Sequence, residues 1–231
     1  MRTYILQIDT ATEICSVSLS LDGVLVDCID AIEPNLHASK LTVFIEDLLQ
    51  RNSLLFSDLS AISVSKGPGS YTGLRIGVST AKGLCYALDI PLLAVNTLES
   101  MLQGYMSDNS LLVDTIYVPM LDARRMEVYM AVYDDQSTCL QPTDAVIIDE
   151  NSFVSYQGKK IIVFGSGASK LASLFVDHEH FHIDAMYRHS SRYLSQISFN
   201  KFEKKDFEDL IYFEPYYLKE FVATTPKKPL L

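Results

Sequence analysis

The stretch Lys66-Gly67-Pro68-Gly69-Ser70-Tyr71-Thr72-Gly73-Leu74-Arg75-Ile76-Gly77 constrains the fold of this chain more than any other. Before it, Leu59 to Ser65 is a short, β-branched run of strand length. After it, Leu74, Val78, Ala81, Cys85 and Leu88 recur at spacings of four, three, four and three, which is one stripe of an α-helix. The glycines therefore join a strand to a helix. Pro68 fixes φ between two residues free to take positive φ, and Ser70 or Thr72 can cap the helix start. Free amides at such a turn can hold an anion. The spacing is neither G-x-G-x-x-G nor that of a Walker loop, so neither nucleotide motif is supported, and a tight turn without a ligand accounts for it equally well.

With 231 residues there is room for one large domain or two modest ones, and the pattern below favours two. Nineteen basic against 29 acidic residues give a formal charge of −10, with no Lys or Arg run longer than two, which argues against direct nucleic-acid binding by the isolated chain. No apolar run approaches the roughly 20 residues that span a bilayer. Met1 to Asp9 enters a strand at once, which leaves no room for a signal peptide and predicts the cytoplasm. Cys15, Cys28, Cys85 and Cys139 form no C-x-x-C pair and read as four free thiols behaving as small buried hydrophobes.

Residues 3–10, 14–21 and 24–31 have strand patterns, and Asp22-Gly23 is a hairpin turn. A helix follows over 38–51, then strand 59–65, helix 71–88, strand 91–95 and a helix from Leu98 to about Met106, capped by Thr97. The order is βββαβαβα. Asp108-Asn109-Ser110 reads as a linker, placing domains at 1–107 and 108–231. A looser copy then begins with strands 115–122 and 127–134, a third strand at 145–149, a short helix 151–156 and strand 160–164. Gly165-Ser166-Gly167-Ala168 turns into a helix ending near Val176. Helix 190–203 is expected to pack back on the first domain, and the tail Thr224 to Pro229 to be loose.

A three-stranded meander carrying Asp9 in Ile-Asp-Thr-Ala-Thr, followed by αβαβ and a partial repeat, resembles the actin-like ATPase fold of sugar kinases and Hsp70 (ASKHA, RNase H-like). The implied class is α/β, with two subdomains, each a mixed sheet flanked by helices, the second reduced. Asp9-Thr10-Ala11-Thr12, His37-Ala38-Ser39-Lys40-Leu41, the glycine stretch, Asp122-Ala123-Arg124 with Glu127-Val128-Tyr129, and Gly165-Ser166-Gly167-Ala168 occur in order. Together they resemble the TsaB (YeaZ) family of bacterial threonylcarbamoyladenosine biosynthesis proteins. The resemblance implies a cytoplasmic, non-catalytic scaffold that dimerises with its catalytic paralogue TsaD, or with itself, and is joined by the small ATPase TsaE. The implied complex transfers threonylcarbamoyl to the adenosine beside the tRNA anticodon, so tRNA is met only through the complex.

TsaD-like proteins hold a metal with H-x-x-x-H on a helix, where residues four apart share a face. Here the second place is Leu41, so His37 cannot complete that site and no metal is expected. His178, His180 and His182 would share one side of a strand, although a solvated loop explains them as well. Asp9 stands where an actin-like ATPase orients Mg²⁺ or water, and Thr10 and Thr12 could donate to phosphate, with Gly165 and Gly167 approaching a nucleotide. A Cβ at Ala11 crowds that approach. The expectation is a vestigial nucleotide site binding ATP or ADP weakly, and Asp9 as a strand-end acceptor of turn amides is the competing reading. Asp122, Arg124, Arg125 and Glu127 suggest an ion-pair cluster near an interdomain cleft. No G-x-S-x-G elbow places a serine nucleophile.

An ATP-dependent phosphotransferase of the actin-like class is the alternative function, and a metallopeptidase-like protein the remote one. The partner surface is expected on the two helices of the first domain. Gly73, Gly77, Thr80 and Leu84 lie opposite the apolar stripe of helix 71–88, where small residues let another helix approach. Leu41, Phe44, Ile45 and Leu48 of helix 38–51 form an apolar set wider than one core-facing stripe.

Overall fold

Asp22 and Gly23 both take positive φ, 50° and 83°, and turn β2 (Cys15–Leu21) into β3 (Val24–Ala31) as a two-residue hairpin. The computed structural model describes residues 2–33, 36–110, 112–175 and 179–219. Expectations for Pro34, Asn35, Val176, His178 and the tail 224–229 lie outside the described residues.

β1 (Tyr4–Asp9) pairs antiparallel with β2 and parallel with β4 (Leu59–Gly67), which pairs parallel with β5 (Leu92–Asn96). The order is β3-β2-β1-β4-β5. α1 (Leu36–Arg51) and α2 (Tyr71–Leu88) cover one face, where Leu6, Ile8, Val17 and Leu19 meet Leu41, Ile45, Leu48, Val78, Ala81 and Cys85 in one core. Strand alternation puts Gln7, Ser16, Ser18, Ser20 and Ser63 on the other face, and these are buried too. Their polar groups are paired within the chain: Gln7 Nε2 donates to Ser20 Oγ at 2.6 Å, and Ser18 Oγ to Gln7 Oε1 at 3.1 Å.

That polar face is covered by the last helix among the described residues. A 3-10 turn, Ser191–Leu194, leads into α5 (Ser195–Glu203), so the helix expected over 190–203 is regular only in its second part. Phe199 and Phe202 pack against Ile5, Ala61 and Leu93. Ser198 Oγ donates to Ser63 Oγ at 2.7 Å, and the Ser191 amide to Ser16 Oγ at 2.7 Å. The serine-rich alternation of β2 thus belongs to a buried hydroxyl seam.

The second sheet contains β6 (Thr115–Asp122), β7 (Glu127–Tyr133), β8 (Cys139–Ile147), β9 (Lys160–Phe164) and β10 (Phe181–Asp184). Read as β8-β7-β6-β9-β10, its order repeats that of the first. Its helices are cut down: a 3-10 turn, Val154–Tyr156, stands where α1 stood, and a 3-10 turn, Ala168–Leu171, with the four-residue α4 (Ala172–Phe175) where α2 stood. The third strand starts at Cys139, well before the expected 145. As an edge strand with a mostly exposed pattern it carries no apolar alternation, and an edge tolerates Pro142. Cys139 is accordingly exposed and Cys28 half-buried, so only Cys15 and Cys85 fit the expectation of buried thiols.

α3 (Thr97–Asp108) joins the two units, with Leu98, Met101 and Tyr105 packed on Tyr117, Leu121 and Phe164 of the second sheet. After α5 the chain runs back as a strap. The Glu208 amide donates to Leu92 O at 2.9 Å, Lys82 Nζ to Phe213 O at 2.9 Å, and the Tyr216 amide to Lys66 O at 2.7 Å. Lys219 then pairs with Glu127 of the second unit. Among the described residues no helix is long and apolar enough to cross a membrane.

Candidate functional site

The C-terminal ends of β1 and β6 face a cleft of about 910 Å³ between the two sheets. Its walls are the 11–14 turn after β1, the loop 68–72, the hairpin loop after β6, Gly165-Ser166, residues 187–189, and strap residues 216–219. The glycine loop and the β1 turn lock together. The Ser70 amide donates to Ala11 O at 2.7 Å, and a Cβ on Gly69 would lie 2.4 Å from that oxygen. Thr10, fully buried, donates its hydroxyl to Gly73 O at 2.7 Å. A Cβ on Gly73 would lie 2.0 Å from Thr10 O, and one on Gly77 2.2 Å from Thr10 Oγ1. These glycines let the β1 turn approach α2, and Ser70 Oγ caps the helix by accepting from the Gly73 amide.

Two expectations change here. Gly73 and Gly77 do not face outward; both are buried against Thr10, because the turn after β1 approaches α2 from the side of its apolar stripe. Leu41, Ile45 and Leu48 are core residues at 2%, 1% and 0% exposure. Phe44 and Leu84 are half-buried and pack on that core, and Thr80 is half-buried. Along its later turns α2 exposes Ser79, Gly83, Tyr86 and Ala87, and α1 exposes Thr42, Val43 and Glu46.

Asp9 ends β1 at 2% exposure. Its Oδ1 accepts the Ala11 amide at 3.0 Å, and its Oδ2 lies 3.1 Å from His189 Nε2, close but out of line for a hydrogen bond. Burial pushes the Asp9 carboxyl up; the His189 imidazole, the Ala11 amide and Ser65 outweigh it and hold Asp9 below its usual range. Ser100 Oγ donates its proton to Thr97 O at 2.9 Å, so it accepts a hydrogen bond from His189 Nε2 at 3.1 Å. His189 Nδ1 is buried with no partner among the described residues. His189 was not legible as a site residue, since a lone histidine far along the chain from Asp9 carries no spacing signal.

Of the other expected nucleotide residues, Thr12 lines the cleft with its hydroxyl accepting the Ile14 amide at 3.2 Å. Gly165 and Gly167 are buried against the end of β6, where a Cβ would lie 2.4 Å from Met120 O and 3.0 Å from Leu121 O respectively. The structure thus brings Thr12 and Gly165 to one cleft, keeps Asp9 buried behind the cleft-lining His189, and engages Thr10 inside the fold. His37 is half-buried with Nε2 3.3 Å from Ile14 O. His180 and His182 are exposed, and no group of three or more metal-binding side chains occurs among the described residues.

On the opposite lip the expected ion-pair cluster is differently composed. Lys170 Nζ lies 2.6 Å from Asp122 Oδ1 and donates to Glu127 O at 2.7 Å, while Glu127 pairs with Lys219. Arg124 and Arg125 form no ion pair among the described residues; they sit in consecutive left-handed conformations, φ 67° and 52°. For residues with a Cβ that geometry costs on the order of 1–2 kcal/mol each. Across the cleft mouth, the Tyr217 ring lies 4.7 Å from that of Tyr71, tilted by 34°, and Arg75 lies 4.2 Å over the Tyr71 ring.

The family model of TsaD, the tRNA N6-adenosine threonylcarbamoyltransferase, matches residues 32–219. The chain belongs to that family. Within the TsaD family its similarity runs to proteins named for the TsaB role. It is 36% identical over 149 residues to the tRNA threonylcarbamoyladenosine biosynthesis protein TsaB of Escherichia coli K12, covering 63% of each chain. It is 37% identical over 148 residues to TsaB of Bacillus subtilis 168, covering 64% of this chain and 61% of that one. The matched stretch therefore spans a little under two thirds of these relatives. YeaZ from Pseudomonas aeruginosa superposes with a TM-score of 0.80 at 25% identity, covering 94% of this chain and all of that one. The TsaB (YeaZ) resemblance read from the motifs and the two-lobed actin-like fold both hold.

Proposed function

We propose that the chain is a non-catalytic scaffold subunit of a cytoplasmic complex that transfers threonylcarbamoyl to the adenosine next to the tRNA anticodon. In this reading it dimerises with and supports a TsaD-like catalytic subunit, is joined by a TsaE-like ATPase, pairs with itself when alone, and meets tRNA only through the complex. The observation that carries the reading is the filled β1 turn. Ala11 O holds the Ser70 amide, the Thr10 hydroxyl is bonded to Gly73 O, and Asp9 accepts the Ala11 amide and faces His189, so groups an actin-like kinase turns toward phosphate and metal are engaged within the chain. Leu41, buried in the core, stands where the family's second metal-binding histidine would be.

The phosphotransferase alternative needs an open phosphate turn, and the metallopeptidase alternative needs a second histidine near His37. Nucleotide binding at Asp9, Thr12 and Gly165 is accordingly proposed to be weak. The partner surface is proposed on the outer sides of α1 and α2, with the half-buried Phe44, Thr80 and Leu84 kept from the sequence reading and the outward Val43, Ser79, Gly83, Tyr86 and Ala87 added.

The test is recovery of partners by the tagged chain from its own cell extract, beside an ATPase assay of the purified chain. TsaD-like and TsaE-like proteins should co-purify, and no ATP turnover should be seen. Recovery of neither partner, or robust turnover lost in Asp9→Ala, would overturn the scaffold reading.

A further inference from the structure

We propose that Arg124 and Arg125, with Arg188, form a binding site for a small, multiply charged oxyanion in the cleft, independent of the partner surface proposed above. The loop 123–126 closes the β6–β7 hairpin, with the Glu127 amide donating to Arg124 O at 3.2 Å and the Ala123 amide to Glu127 O at 3.1 Å. Two consecutive left-handed residues in such a loop call for Gly, Asn or Asp. Arginine at both positions is unfavourable for the turn, and strain of this kind concentrates at binding sites.

The local acids are engaged elsewhere. Asp122 Oδ1 holds the Lys170 ammonium and the Arg124 amide at 2.6 Å each, and Glu127 holds Lys219. Neither guanidinium, nor that of Arg188, makes a hydrogen bond or ion pair among the described residues, and all three residues line the cleft. Glu13, on the facing wall, is the remaining acid of the lining. His189, whose buried Nδ1 has no partner, belongs to the same cavity.

Guanidinium forks match the paired oxygens of phosphate or carboxylate groups, and a cleft of about 910 Å³ suits a small molecule. A long polyanion such as RNA is disfavoured by the net charge of −10, whereas a compact anion meets only the local cations. The backbone amide of Ser70, on the other lobe, is held by Ala11 O, which leaves the side chains of the hairpin lip as the anion-binding groups.

The test is calorimetric titration of the full chain with pyrophosphate and, separately, with citrate at low ionic strength. At least one should bind; stronger pyrophosphate binding marks a phosphorylated ligand and stronger citrate binding a polycarboxylate. Arg124→Asn/Arg125→Gly should weaken binding by about tenfold or more, since charge-assisted hydrogen bonds are lost. The same variant should raise Tm by roughly 4–8 °C, because the turn then carries residues suited to it. Arg124→Gln/Arg125→Gln should lose binding without that rise. The site is ruled out if neither anion binds the wild-type chain, or if both variants bind as the wild type does.

Discussion

His189 Nε2 stands 3.1 Å from Asp9 Oδ2, with both side chains 2% exposed, and so joins the second half of the chain to the end of β1. Removing one member of a buried pair strands the other. His189→Asn should therefore destabilise the fold by roughly 3–5 kcal/mol at pH 7, and Asp9→Asn/His189→Asn should recover most of that. In the wild type the native Asp9 lies below its ordinary value of 3.8. Its contribution to stability is full above that value and falls as the pH drops through the depressed native value. In His189→Asn burial prevails and the native carboxyl rises, so its contribution reverses and stability decreases as the pH increases. Urea titrations across pH 3–7 measure both slopes.

Gly73 and Gly77 are expected to differ in tolerance because they meet different atoms of Thr10. A Cβ at position 77 confronts a hydroxyl that can rotate, and one at 73 confronts a backbone oxygen. Gly77→Ala should cost about 1–2 kcal/mol after the gain in helix propensity, and Gly73→Ala more. Adding Thr10→Ala should rescue Gly77→Ala but not Gly73→Ala. Thermal denaturation of the four variants checks this, at about 2–4 °C per kcal/mol for a chain of this size.

The thiols should react in the order of their exposure. Burial, and secondarily the Asp9 charge, pushes Cys15 up to about 11, and burial pushes Cys85 up to about 12. Cys139 is exposed and Cys28 half-buried. With a maleimide at neutral pH, peptide mapping should find Cys139 labelled first and Cys28 next, with Cys15 and Cys85 protected until denaturant is added.

The strand-to-helix glycine stretch and the Asp22-Gly23 hairpin were legible because local periodicity and turn chemistry decide them. The direction in which Gly73 and Gly77 face was not, since a helical wheel does not say from which side the distant Thr10 arrives. The reduced second half was visible as a repeat of strand runs, but an edge strand holding Pro142 gave β8 no alternation to read. Asp9 was legible as a site residue by its place at a strand end. His189 was not, because its meaning lies entirely in a contact made through the fold.

The partner surface is the claim on which the functional account rests, and Gly83 tests it most directly. Gly83 is exposed within α2, and among the described residues a Cβ there meets nothing within 4 Å. An exposed mid-helix glycine is roughly 0.5–1 kcal/mol less stable than alanine, and no contact among the described residues offsets that cost. Gly83→Arg should leave the monomer folded with an unchanged or higher Tm. Size exclusion with light scattering is the deciding measurement. The wild type should be a dimer alone and a heterodimer with its TsaD-like partner, and Gly83→Arg should be monomeric in both cases. A Gly83→Arg protein that still dimerises, alone and with that partner, would contradict the account.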